Sequence, residues 1–133
     1  MNRLRRRLAG ERGAALIEGL FALMLVLLVV GVAAQALAYA HAKSVATAAA
    51  QDGARAAAAG GPDAGIVRAR AILAAAGNTG ESLHATAREA GDEVTVNVAG
   101  EAPRLFSLPL LLPAVRASAS LPLERYPAAE AAP

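Results

Sequence analysis

The chain contains no cysteine. That single absence removes a disulfide framework, a thiol nucleophile and a thiolate metal site, and it is compatible with export. Aromatic residues make up only 3% of the chain, and large aliphatic side chains are sparse beyond the first forty positions. A core built from the remainder is small, so an isolated soluble fold would be marginal. Fixed charge is missing from Gly19 to Ala40, where Gln35 is the most polar side chain. Histidine occurs twice, at His41 and His84. The two lie far apart with no second histidine at ligand spacing, so the sequence offers no metal site and requires no cofactor.

What is present is unevenly placed. Alanine exceeds a quarter of the residues. The net charge of +2 is nearly balanced, yet Arg3, Arg5, Arg6, Arg7 and Arg12 crowd the first dozen positions against Glu11 alone. After this basic leader, Met1 to Gly13, an apolar run extends from Ala14 to Ala40. It exceeds the roughly 20 residues that a spanning helix needs. Arginines beside such a run hold their end in the cytoplasm, which puts the rest of the chain outside the cell membrane. No aromatic residue interleaves with these arginines, and the sequence therefore reads against a nucleic-acid partner.

A cleaved signal peptide is the rival reading. It has a basic start, an apolar region of about 7–15 residues and an A-x-A-like cleavage site. "AQALAYAHA" supplies such sites after Ala36, Ala38 or Ala40. The apolar region here is longer, and it carries Glu18 close to its start. On this alternative the mature protein is a small secreted binding module.

Along the rest of the chain the signals are local. "HAKSVATAAAQDGARAAAAGG" is alanine-rich and free of proline, so the helix is expected to continue to about Ala59. Gly60, Gly61 and Pro62 then stop it. Pro62 and Asp63 suit the first turn of a second helix ending at Ala76, with Gly77 beyond it. Ile66, Ala69, Leu73 and Ala76 form its apolar stripe. Residues 78–92, polar and glycine-bearing, read as a loop.

Val94, Val96 and Val98 alternate with Thr95 and Asn97, a period of two that predicts a half-buried strand. The pattern returns in Val115, Ala117, Ala119, Leu121 and Leu123. Between the two, Pro103, Pro109 and Pro113 exclude a continuous element. The cluster of Leu105, Phe106, Leu108 and Leu110 to Leu112 either covers the core or forms a contact patch.

The expected fold class is α+β: a long amino-terminal transmembrane helix continuing into an exported helix, then a short helix and a small antiparallel β-sheet. The expected segments are a leader at 1–13, the transmembrane and extended helix at 14–59, a small exported α+β region at 60–125 and a disordered tail at 126–133.

Enzymatic signals are missing. His41, Ser44 and Asp52 fall on one expected helix without a glycine-rich elbow or oxyanion site. Gly60-Gly61 lacks the lysine of a phosphate loop. Glu89, Asp92 and Glu93 read as a solvated acidic surface. The sequence thus predicts no catalytic residues, no enzyme and no small-molecule substrate.

Glu18 is the residue that needs a reason. A carboxylate at the centre of a bilayer costs roughly 2.5–3.5 kcal/mol on insertion scales. Near the helix end it reaches the headgroup layer and costs little. A second reading uses the leader. Cleavage between Gly13 and Ala14 creates a charged amine on Ala14, and Glu18 becomes the fifth residue of the shortened chain. Residues i and i+4 share one helix face, so Glu18 can neutralise that amine or the amine of a neighbouring subunit.

The run Arg12-Gly13 followed by Ala14 to Val30 resembles the amino terminus of TadE-like pseudopilins, minor pilins of the tight-adherence (Tad/Flp) pilus systems. The matching features are a short basic leader, a glycine before the cut, a glutamate at the fifth position after it and an unbroken apolar helix. Many members follow that glutamate with phenylalanine, whereas here Gly19 follows Glu18 and Phe21 comes later. "AAAQDGARAAAAG", Ala48 to Gly60, is similar to the family's alanine-rich stretch after the membrane helix, and the two alternating strands fit its carboxy-terminal part. The resemblance implies processing by a prepilin peptidase at Gly13 and Ala14. It also implies assembly with other pilin or Tad-system subunits.

We predict that the protein fractionates with membranes, resists a carbonate wash and presents the region after His41 on the far side. A reporter fused after Ala59 should be active outside the cytoplasm, and activity confined to the cytoplasm would overturn the orientation.

Overall fold

In the computed structural model the backbone is described for residues 2–106 and 113–123, and side chains from Gly13 onward within those ranges. The side chains of Arg3, Arg5, Arg6, Arg7 and Arg12 lie outside the described residues, as do Leu108, Leu110 to Leu112 and the tail at 126–133. The fold is α+β, with element order α1 (Asn2–Gly60), α2 (Pro62–Ala75), α3 (Asn78–Glu81), β1 (Leu83–Ala90), β2 (Glu93–Gly100) and β3 (Val115–Pro122). The chain forms two units, Met1–Ala36 and Leu37–Pro133.

The first unit is the amino-terminal part of α1. Leucine, valine, methionine and alanine suit a helix, and neither proline nor a glycine pair interrupts it. Its side chains have little to pack on within the chain. Leu16, Leu20, Phe21, Met24, Leu27 and Val30 are all exposed, and only 6% of the most apolar 18-residue stretch of α1 is buried. A core helix of a soluble protein hides such a surface; this one does not. By length and composition α1 is able to cross a membrane. Gln35 is its buried polar side chain, 5% exposed. Among the described residues no buried side-chain nitrogen or oxygen lacks a hydrogen-bond partner.

The second unit begins at Leu37, and here the same helix changes character. Ala42, Ala46, Ala49, Ala50, Ala54 and Ala57 are fully or almost fully buried, a stripe at three- and four-residue spacing. Alanine gives α1 a flat face, and a flat face lets the sheet and α2 come close. A close approach is made at two glycines, Gly53 and Gly65. A methyl group on Gly65 would stand 2.6 Å from the Ala57 Cβ and 2.8 Å from the Gly53 carbonyl oxygen. One on Gly53 would stand 3.1 Å from each of the Ala69 Cβ, the Gly65 oxygen and the Val96 Cγ1. Each helix therefore brings a glycine and, four residues on, an alanine to the crossing, with Val96 beneath. Larger side chains at these positions would push the helices apart.

The join between the helices is equally tight. Gly61 alone separates α1 from α2, with φ 84° and ψ 173°, a region that only glycine adopts readily. Pro62 then occupies the first turn of α2, where its missing N–H costs nothing. The expected helix ends thus hold to within a residue or so, at Gly60 and Ala75. In α2 the buried positions are Gly65, Ala69 and Leu73, while Ile66 and Ala76 are only half-buried.

The sheet is antiparallel with strand order β1-β2-β3. Its central strand supplies Val94, Val96 and Val98, which with Val115 are the largest fully buried side chains. Each such valine contributes about 1.5–3 kcal/mol by burial. On the covered face, register aligns Ala85, Val98 and Ala117 in one row and Ala87, Val96 and Ala119 in the next.

The loop expected over residues 78–92 is corrected: it holds α3 and the strand β1. Leu83 and Ala85 point into the core between exposed His84 and Thr86, so the alternation exists. Alanine carries most of it, which leaves little hydropathy contrast. The hairpin turns on Gly91 (φ 65°) with Asp92 outside the positive-φ region, the pattern of a two-residue turn with glycine first.

We predict that Gly65→Ala lowers stability by about 1–3 kcal/mol through overpacking, against alanine's advantage of about 1 kcal/mol in a helix interior. Adding Ala57→Gly should restore part of the loss, because the Gly53 oxygen remains in the way. Urea unfolding of the detergent-solubilised chain, followed by circular dichroism, measures both. Unchanged stability in Gly65→Ala would mean that the helices do not approach so closely.

Candidate functional site

The residues singled out at the amino terminus lie in one continuous helix. Gly13, Ala14 and Glu18 are all in α1, and all three are exposed. Ala14 and Glu18 are one turn apart, about 6 Å along the axis, on the same face. Nothing lies within 4 Å of where a side chain on Gly13 or Gly19 would begin, so neither glycine is demanded by packing within this chain. That contrasts with Gly53 and Gly65. Around Glu18 the chain presents only apolar neighbours on its own helix, Ile17, Leu20 and Phe21 among them, each exposed.

The histidine, serine and aspartate of the carboxy-terminal stretch of α1 are not brought together. His41 is exposed. Ser44 donates its hydroxyl to the Ala40 carbonyl at 3.1 Å, and Thr47 donates to that of Lys43 at 2.8 Å; both bonds stay within the helix. Asp52 lies about 12 Å along the axis from Ser44. It binds arginines instead: Arg55 one turn on, and Arg68 of α2 at 3.4 Å. Asp52 therefore ties the two helices at the surface beside the glycine crossing. His84 is exposed on β1, and among the described residues no group of three potential metal ligands occurs.

Glu89, Asp92 and Glu93 gather at the β1–β2 hairpin, all exposed. The outer face of the sheet is polar. Thr86, Asn97 and Ser118 align across it, and Thr95 and Ser120 share a hydrogen bond of 2.7 Å between their hydroxyls. The Lys43 ammonium of α1 donates to the Arg116 carbonyl of β3. Sequence reading reached the antiparallel sheet but neither the Lys43 contact nor the Asp52–Arg68 pair. The paired spacings Gly53–Ala57 and Gly65–Ala69 were the available signal, since small residues four apart let helices approach.

The chain matches no family model, no curated protein and no solved structure. The candidate site is an apolar helix with an exposed surface and one carboxylate set into its start.

The Asp52 cluster is exposed, and exposed ion pairs contribute little. We predict that Asp52→Asn costs less than about 1 kcal/mol, with a difference that shrinks as salt is raised. The same urea titration serves, and a loss as large as that of Gly65→Ala would show that the ion pairs hold the helices together.

Proposed function

We propose that the chain is a TadE-like minor pilin or pseudopilin, a single-pass membrane component of a Tad/Flp-type pilus assembly or secretion system. Its amino terminus faces the cytoplasm and its carboxy-terminal unit lies outside. The observation that carries this reading is Glu18, one turn after Ala14, at the start of a helix whose large apolar side chains are exposed from Leu16 to Val30. A surface of that kind suits lipid first and neighbouring helices afterwards.

The mechanism needs no catalysis by this chain. It is held in the membrane by the apolar part of α1, with the arginine leader inside. A prepilin peptidase hydrolyses the peptide bond between Gly13 and Ala14 and leaves an ammonium group on Ala14. In a dry bundle of helices an unpaired charge costs about 3–5 kcal/mol. Glu18 offsets that cost by pairing with the ammonium of its own chain or of a neighbour. Uncut chains lack the ammonium and so lack the pairing, which makes processing a condition of assembly.

A secreted module released by signal peptidase remains the second reading. Cleavage after Ala40 would fall inside α1, immediately before the core positions Ala42 and Ala46, which favours a retained helix. The size of the mature protein separates the two.

We predict that Glu18→Ala inserts as well as the parent chain or better, because the apolar run becomes more continuous. Its recruitment into the assembly should fall while the membrane-bound pool persists. Gly13→Leu should act earlier and leave the leader attached, as amino-terminal sequencing of the membrane-bound chain would reveal. Normal assembly of Glu18→Ala would remove the main support for this mechanism.

A further inference from the structure

The sheet has two outer strands, and their free edges differ. Leu123 donates its N–H to the Asp92 carbonyl at 2.7 Å, and Glu101 donates to that of Ser82 at 3.3 Å. Hydrogen-bonded pairs alternate along an antiparallel ladder, so these two bonds fix which backbone groups point outward. On β1 they belong to Leu83, Ala85, Ala87 and Glu89, and on β3 to Arg116, Ser118, Ser120 and Pro122. Leu83 and Ala85 are only 3% and 7% exposed, so half of the β1 edge is already covered. Arg116, Ser118 and Ser120 are all exposed. Among the described residues, the N–H and C=O groups that Ser118 and Ser120 turn outward have no backbone partner.

The open edge has definite ends. Lys43 holds the Arg116 carbonyl at one, and at the other Pro122 has no N–H to offer. Between them Ala117, Ala119 and Leu121 turn inward and are only half-buried against the core. Thr47 and Ala58, half-buried on the face of α1 that carries Lys43, are small as well. A further strand laid along β3 would cover the inward side chains and satisfy the outward backbone groups together.

Charge says what such a strand carries. Lys43 and Arg116 are the charged residues of this edge, and among the described residues neither is bound to a carboxylate. The nearby acids are engaged or distant. Glu101, just beyond β2, is bound to Arg104 at 3.3 Å, Asp52 is bound by Arg55 and Arg68, and Glu93 is paired with Pro122 at the opposite end of β3. Arg88 and Glu89 belong to β1, on the other side of the sheet. On the outer face an open hollow of about 400 Å³, lined in part by Asn97, Ala99, Arg116 and Ser118, has room for a side chain. We propose that the β3 edge receives an extended segment of a partner protein as a fourth, antiparallel strand along residues 116–120. The segment has apolar residues opposite Ala117 and Ala119, small polar ones opposite Ser118 and Ser120, and a carboxylate opposite Arg116. Its N–H shares the Arg116 carbonyl with Lys43, which the two lone pairs of that oxygen allow. The edge lies wholly in the second unit, so binding requires neither a cut leader nor Glu18.

The test titrates the full-length chain in detergent micelles with a fluorescent peptide, Ser-Val-Thr-Val-Glu, which places glutamate opposite Arg116 when it pairs antiparallel. A second peptide carries lysine in place of the glutamate. The glutamate peptide should bind several-fold more tightly, by a margin that narrows as salt is raised and is mostly lost in Arg116→Ser. Binding should slow amide exchange at Ser118 and Ser120 and leave Ala117 and Ala119, already paired with β2, unchanged. Ser118→Pro removes an outward N–H without breaking a ladder bond, so binding should fall at least tenfold while circular dichroism keeps its sheet signal. If that variant unfolds, Arg116→Ser and the exchange pattern still decide. Absence of binding, equal binding of the two peptides, or slowing at Ala87 and Glu89 instead would overturn the assignment. So would slow exchange at Ser118 and Ser120 before any peptide is added, because the edge would then be covered already. Each of those results leaves the assembly of Glu18→Ala, and with it the pilin reading, to be decided separately.

Discussion

Everything in the carboxy-terminal unit depends on two glycines facing each other over one valine. With Gly53 and Gly65 bare, the backbones of α1 and α2 approach until a methyl group on Gly65 would collide and one on Gly53 would crowd its neighbours, and Val96 fills the space beneath them. A core of alanines and valines with only two leucines, Leu73 and Leu83, has little apolar area per residue, so it cannot tolerate gaps. Proximity substitutes for bulk. The alanine stripe, the glycine crossing and the small inward side chains of β1 and β3 are one solution, because enlarging any member would lift the helices from the sheet.

One helix carries two kinds of surface. Its first unit keeps leucine, valine and phenylalanine outward, where a soluble protein would place charge. From Leu37 on, the outward positions become Lys43, Ser44, Gln51 and Arg55, while alanine turns inward. The change takes place without a break in the backbone. Hydrogen bonds internal to a helix satisfy its peptide groups in water and in lipid alike, so the two surfaces of α1 differ in side-chain chemistry alone.

Much of this was legible in advance. The end of α1 followed from Gly60, Gly61 and Pro62, and β2 and β3 from valine alternating with polar residues. β1 escaped because Ala85 and Ala87 carry an inward alternation too faint to register beside Glu89 and Asp92, although the Gly91-Asp92 turn was there to be used. The helix crossing was illegible for a different reason. Small residues four apart permit a close approach, but sequence spacing does not say which two helices make it. Of the amino-terminal site, the spacing of Ala14 and Glu18 on one face was fully readable, since it needs only helical geometry. The contact between Lys43 and β3 was not. It reaches a backbone carbonyl 73 residues away, and a carbonyl leaves no mark in a sequence.

The single-residue link at Gly61 also bears on chain entropy. Closing a loop becomes costlier with its length, by about 0.6 kcal/mol for each doubling. Between α1 and α2 there is next to no loop to close. Pairing β3 with β2 instead requires the whole 101–114 connection to be drawn in. The two halves of the unit therefore differ in contact order while sharing one core. The helix pair incurs little loop-closure cost once Gly61 has turned. Within the sheet the larger closure cost falls on β3, since β1 and β2 are joined by a two-residue turn.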